Sequence, residues 1–310
     1  MYPYILMTFV VIMYAGNILV GKAINELPPF TITFFRLLVA FLVLLPIGYR
    51  SVRENKSVFL KNKKVVLLLS ISGIAFFNTF IYGSLQFTSS TNVAILESAI
   101  PAVTVILSIF LLKEKLFRIQ WAGVLISLIG ALWVILDGQI LNIAQIDWNV
   151  GDFIMIGAIL SWAYYSVIVK IHMFRFPPYA AVLVITGTAL VLLLPAVLIE
   201  WVAVGFPNLN QSAYWAGLLY LGIFPSFIAL ILYNRAVELL SASKAAIFLN
   251  LLPVFTMAGA ALWLDESIRG MHIVGTCIVI SGVLLTTRGG KQLTKEKVSD
   301  LKAVSEGKTK

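Results

Sequence analysis

Two charges stand where charges are rare. Glu97 is flanked by Ala94-Ile95-Leu96 and Ser98-Ala99-Ile100, and Arg36 lies in Phe34-Phe35-Arg36-Leu37-Leu38. A carboxylate in such a run can bind a substrate amine or carry a proton. Its structural alternative is an ion pair or a side chain snorkelling to a rim. A guanidinium there can capture a carboxylate, or it can serve the fold by bonding exposed carbonyls and loop groups. Two prolines add backbone chemistry. Pro101 and Pro253 each lack an N–H and clash with the carbonyl four residues back, which belongs to Glu97 in one case and Leu249 in the other. The freed backbone can receive substrate or permit bending; a fixed kink for packing is the plain alternative. Ser98 and Asn250 each lie three residues before their proline and offer polar groups at the same depth.

Polar and aromatic side chains gather on the other apolar runs: Tyr14 with Asn17, Asn78 with Tyr82, Trp162 with Tyr165 and Ser166, and Tyr233 with Asn234. Asn78 and Tyr82 are four apart and share a helix face. Such groups suit an amphipathic metabolite. They also suit interhelical hydrogen bonds and interfacial belts.

These residues need elements to position them, and composition says which kind. Of 310 residues, 60% are hydrophobic and 12% charged, too little polar material to coat a soluble domain of this size. Lipid is the solvent that accepts such a surface. A helix crosses ~30 Å of hydrocarbon with about 20 residues. The apolar runs place ten spans, at 3–24, 30–49, 65–86, 92–112, 119–136, 153–171, 178–200, 213–233, 245–263 and 271–287. The first run has no basic residue ahead of it and is expected to be retained as a helix rather than cleaved as a signal peptide. Cys277, the one cysteine, forms no disulfide within the chain and reads as a small packed residue.

The basic residues set the orientation. Of 23 Lys and Arg, six lie between Arg50 and Lys64 and three at Lys113, Lys115 and Arg118. Two more pairs are Lys170 with Arg175 and Arg235 with Lys244, and seven follow from Arg288. All twenty fall on one side, against Lys22 and Arg269 on the other. Both termini are therefore expected in the cytoplasm. The formal charge of +9 meets anionic lipid, and no nucleic acid partner is implied. Glu97 and Arg36 both lie about six residues in from the outer boundary, ~9 Å deep at 1.5 Å per residue. Equal depth permits a pair but says nothing of azimuth.

The halves repeat. Pro101, Glu114, Gly123 and Gly130 recur as Pro253, Glu266, Gly275 and Gly282, always 152 residues on, and Ala94-Ile95 recurs as Ala246-Ile247. Pro29 and Pro46 match Pro178 and Pro195. Five spans per copy is odd, so the second copy enters from the opposite face, as in many secondary transporters. The expected organisation is a first repeat at 1–136, an outside linker at 137–152, a second repeat at 153–288 and a basic, solvated tail at 289–310. The fold class is all-α membrane protein, with ten helices in two inverted five-helix repeats. Glu97 aligns with Leu249, so the fold does not require the acid.

The arginine-bearing run Phe34 to Ala40, and the proline helices running from Ala94 through Pro101 to Glu114 and from Ala246 through Pro253 to Glu266, resemble the two EamA domains of the drug/metabolite transporter superfamily. That resemblance implies ten helices, export or exchange of amino acids or other metabolites, and a central cavity. It implies that the first, third, fourth, sixth, eighth and ninth helices line that cavity. It also favours a structural role for Arg36. Glu114 and Glu266 are expected to complement the N-terminal ends of the helices that follow them. The glycines at 123, 130, 275 and 282, with Ser127, are expected to let helices approach closely.

The expectation is a secondary transporter of small organic metabolites such as amino acids, working by alternating access in the plasma membrane. Substrate binding or coupling falls to Glu97, Tyr14, Asn17, Asn78, Tyr82, Ser98, Trp162, Tyr165 and Asn250; Arg36, Pro101, Pro253, Glu114 and Glu266 are structural or hinge residues. The partners are the solute and the bilayer; a monomer is expected and an oligomer stays open. A membrane-embedded enzyme and a non-transporting receptor are the alternatives. No nucleotide loop or catalytic cluster accompanies the isolated His172 and His272, so no enzyme activity, cofactor or metal is expected.

Overall fold

A computed structural model describes residues 2–113, 117–136, 138, 149–229, 232–233 and 249–285. Every regular element among the described residues is helical. In chain order they are α1 (Tyr2–Ala23), α2 (Pro29–Glu54), α3 (Lys56–Lys61), α4 (Lys63–Leu85), α5 (Ser90–Glu97), α6 (Ile100–Leu112), α7 (Arg118–Ile135), α8 (Val150–His172), α9 (Pro178–Val204), α10 (Ser212–Ile228), α11 (Leu252–Trp263) and α12 (Gly270–Leu285).

Seven helical segments are long and apolar enough to cross a membrane; α5 and α6 count as one of them. The remaining apolar helices, α10, α11 and α12, are shorter. Parts of the eighth, ninth and tenth expected spans, most of the 137–152 linker and the whole 289–310 tail fall outside the described residues, as does Glu114. The outer surface is apolar: Val202 is 88% exposed and Leu262 87%. Such a surface is stable in hydrocarbon, where the helix satisfies its own backbone. The chain is a multi-pass membrane protein.

Local sequence sets the ends. Pro28 is extended and Pro29 starts α2, where a missing N–H costs nothing. Lys113 in the left-handed conformation (φ 56°) stops α6, and Gly205 (φ 90°) stops α9. Helix α2 runs past its expected end at 49 to Glu54. The basic loop then forms α3, because Phe59 is buried and stacks on Phe176 at 5.3 Å.

Helices α7 and α12 touch backbone to backbone. A Cβ on Gly282 would lie 2.3 Å from the Ser127 nitrogen and 2.6 Å from the Gly123 oxygen; one on Gly130 would lie 2.8 Å from the Val279 nitrogen. These are the small residues the sequence assigned to close approach. Cys277 corrects its expectation: it lies on the exposed face of α12. An apolar neighbourhood marks a buried residue in water, but in lipid it fits either face.

Candidate functional site

The expected kink at Pro101 is a full break. Helix α5 ends at Glu97, Ser98 and Ala99 form a turn, and α6 restarts with Pro101 in its first turn. The residue before the restart, Ala99, has φ −81° and ψ −10°. Its counterpart Leu251, ahead of Pro253 in α11, has φ −80° and ψ −9°. Ser98 spends its hydroxyl inside the break, donating to the Ile95 carbonyl at 2.6 Å. Asn250 is buried in the equivalent turn, and α11 packs on α1 and α5.

Around the break the structure gathers most of the expected polar residues. Arg36 is buried and held by neutral groups. Its Nη1 donates to Asn78 Oδ1 at 2.6 Å and to the Tyr82 hydroxyl at 2.5 Å, and its Nε donates to Ser226 Oγ at 3.1 Å. Tyr82 passes the chain on, donating to Asn17 Oδ1 at 3.2 Å. Four helices, α1, α2, α4 and α10, are thereby tied through one guanidinium. Asn78 and Tyr82 share a face of α4, as their spacing required. They hold the arginine instead of standing free.

Ser226 has no place among the expected residues, although the sequence carried a signal for it. Pro225 lacks an N–H, which frees the Leu221 carbonyl. Ser226 Oγ donates to that carbonyl at 2.8 Å within a π-helical turn, Phe224–Ile228. A second π-helical stretch, Ser70–Phe76, leads into Asn78.

Glu97 behaves differently. It makes no ion-pair contact with Arg36, although it lies within that charge's electrostatic reach. Its Oε2 is buried without a hydrogen-bond partner among the described residues. The residue as a whole is half-buried. Tyr14 lies close enough to interact electrostatically with Glu97, Arg36, Tyr165 and Tyr233. An aromatic wall stands on α8: Trp162 lies 4.3 Å from Phe77 and 5.0 Å from Tyr165, ring centre to ring centre. Tyr165 fits only because Gly73 faces it, where a Cβ would come within 2.2 Å. Asn234 lies outside the described residues. The cluster therefore offers one unsatisfied carboxylate, one braced cation and a set of aromatic faces.

A model of the EamA-like transporter family matches residues 1–136 and 149–288. The chain belongs to that family. Its sequence relatives carry matching names. It is 28% identical over 250 residues to "Uncharacterized transporter YyaM" of Bacillus subtilis, covering 81% of each chain. It is 26% identical over 306 residues to "Probable amino-acid metabolite efflux pump" of Salmonella typhimurium, covering 94% of this chain and 96% of that one. A solved crystal structure superposes with a TM-score of 0.60 over 92% of this chain and 97% of the other; at 17% identity that likeness speaks for the fold alone. This EamA-family chain is a membrane transporter. A cleft of about 420 Å³ lies elsewhere, beside Ser89, Glu266, Ser267, Arg269 and His272.

Glu266 corrects one expectation. It caps a helix, but not the one that follows it. Its carboxylate accepts from the Ser90 and Thr91 amides at 2.8 and 3.2 Å and from the Thr91 hydroxyl at 3.0 Å, at the start of α5. The start of α12 is closed locally instead: the Arg269 amide donates to His272 Nδ1 at 3.1 Å.

Proposed function

We propose that the protein is a secondary transporter of small organic metabolites bearing a protonated amine, amino acids among them, and that Glu97 is the group that meets the amine or carries a coupling proton. One observation carries this reading: a buried carboxylate oxygen, unpartnered among the described residues, beside a helix break and an aromatic wall. A buried acid without a partner is costly to keep. A cation arriving with the solute supplies that partner, and aromatic faces are favourable neighbours for it. The name of the Salmonella relative points to the same solute class.

Transport proceeds by alternating access between two inverted five-helix repeats, residues 1–136 and 153–288, joined by the outside linker 137–152. Ten spans, both termini in the cytoplasm and a plasma-membrane location complete the proposal. Two features support the repeat. The helix breaks before Pro101 and Pro253 have the same backbone angles. The α7–α12 seam also pairs Gly123 with Gly282 and Gly130 with the Gly275–Val279 turn, so each glycine faces the counterpart of the other. A two-fold relation produces such a pattern. The basic tail at 289–310 then meets anionic lipid on the cytoplasmic side.

The test is flux. Purified protein in liposomes is loaded with a mixture of amino acids and amines, and efflux is followed without ATP. Efflux of an amine-bearing solute that Glu97→Gln abolishes supports the proposal. Efflux unchanged by Glu97→Gln in a well-folded protein sinks the role given to Glu97; chemical conversion of the solute sinks the transporter reading.

A further inference from the structure

Helix α5 begins at the end of the bundle where α1 stops, and several segments converge on the corner between α4 and α5. Lys22, at the end of α1, donates its Nζ to the Leu85 and Thr88 carbonyls at 2.7 and 2.8 Å. This is a cation on the carbonyl end of α4. Glu266, from the α11–α12 link, takes the amides at the start of α5. This is an anion on the N–H end of a helix. Lys22 and Glu266 lie within electrostatic reach of each other. On the third side, Thr88 Oγ1 donates to Asp152 Oδ1 at 2.7 Å, and Asn149 Nδ2 donates to the Phe87 carbonyl at 3.0 Å.

We infer that the α4–α5 corner is the gate at this end of the protein, and that Glu266, opposed by Lys22, is the latch that holds it shut. The inference rests on the alternating-access reading above and adds the residues that close one side. Three features carry it. The clasp joins segments 176 residues apart, so it cannot serve α5 alone. Ser90 and Thr91 are almost wholly buried, so nothing passes here while the clasp holds. The seam is also wettable. Ser89, Ser90, Thr91, Asn92 and Asp152 line it, and the cleft of about 420 Å³ reaches Glu266 itself. A charge-assisted clasp between groups that water can also solvate has a small net free energy, as a reversible gate requires.

A second glutamate shows the contrast. Glu200 takes the Phe30 and Thr31 amides of α2 at 3.1 and 2.8 Å. That clasp sits on an apolar seam, where Leu37, Ala189, Leu190, Leu193 and Val197 pack together. Opening it would wet hydrocarbon. The Glu200 clasp belongs to the fixed frame, and the Glu266 clasp belongs to the moving part.

Glu266 acts through the helix and does not meet the solute, so it is a positioning residue, and accessibility tests it. In a Cys277→Ser background, one reporter is Val93→Cys, buried in α5 one turn behind the clasp. The other is Ile168→Cys, buried near the far end of α8. Both are labelled with a membrane-impermeant methanethiosulfonate applied from the face that carries residues 23–29. Glu266→Gln should speed labelling at Val93→Cys about tenfold, as loss of a charge-assisted contact allows, and leave Ile168→Cys unchanged. Glu266→Asp should fall nearer the parent. Equal acceleration at both reporters would mean general loosening and would overturn the latch, as would no acceleration at Val93→Cys. If Glu266→Gln fails to reach the membrane, Lys22→Gln is read in its place with the same two outcomes. Labelling asks whether the corner opens, and flux asks whether a solute crosses, so either reading can fail while the other stands.

Discussion

Helix α5 meets a carboxylate at each end, and the two are treated in opposite ways. At its start Glu266 receives three hydrogen bonds from Ser90 and Thr91. At its finish Glu97 keeps a buried oxygen with no partner among the described residues. The helix has eight residues, so the two charges stand only about 12 Å apart along its axis. Its dipole favours the first and opposes the second. One carboxylate stabilises the fold and the other strains it. An acid held against the dipole of its own helix, where the aligned residue of the other half is Leu249, is what the role proposed for Glu97 requires.

The largest expected effect separates those roles. Glu97→Gln should reduce amine efflux by about 100-fold, in the range seen when a positioned acid or base is removed. Its melting temperature should stay within a few degrees of the parent, because the lost charge had an unfavourable seat. Thermal unfolding in detergent, set beside liposome flux, checks both halves. A Glu97→Gln protein that melts earlier than Glu266→Ala would break the comparison.

Glu266→Ala should behave in reverse. It strips a cap from two buried amides and should cost ~1–2 kcal/mol. That loss should appear as a lower melting point, with amine binding to Glu97 retained in an equilibrium dialysis measurement. Ser89→Ala sharpens the same point on a smaller scale. Ser89 Oγ accepts from the Asn92 amide at 3.0 Å, a neutral cap worth ~1 kcal/mol or less. If Ser89→Ala costs more than Glu266→Ala, the carboxylate is not the main cap of α5.

Sequence alone reached the elements and the list of candidates, and stopped at azimuth. Long apolar runs sit close to the helices, because a fixed hydrocarbon thickness demands a minimum length. Pro101 and Pro253 announced their breaks, since a missing N–H acts locally. The i, i+4 spacing put Asn78 and Tyr82 on one face. It did not say that Arg36 would fill that face, because depth in the membrane leaves rotation about each helix axis open. Ser226 was within reach of a stricter reading of Phe224-Pro225-Ser226. The target of Glu266 was not, since its partner is 176 residues away and no local rule connects them. Cys277 shows the remaining blind spot, because an apolar flank does not tell core from lipid.

The smallest effect belongs to a third carboxylate, and it tests whether burial makes the difference at α5. Glu54 accepts from Arg50 Nε at 3.0 Å on the last turns of α2, with the two side chains 90% and 59% exposed for Arg50 and Glu54. The pair is spaced i, i+4 with the cation N-terminal, the weaker of the two orders, worth ~0.2–0.5 kcal/mol at best. Glu54 is also an acid at the carbonyl end of its helix, which the dipole disfavours by a similar amount. Water and salt screen both contributions. The two nearly cancel, so Glu54→Gln should change stability by less than ~0.5 kcal/mol in either direction and leave efflux at the parental rate. Chemical unfolding in mixed detergent, run beside Glu266→Ala, is the measurement. A loss for Glu54→Gln as large as that for Glu266→Ala would mean that helix-end charge alone governs these sites, and that the buried amides of Ser90 and Thr91 add nothing to the clasp.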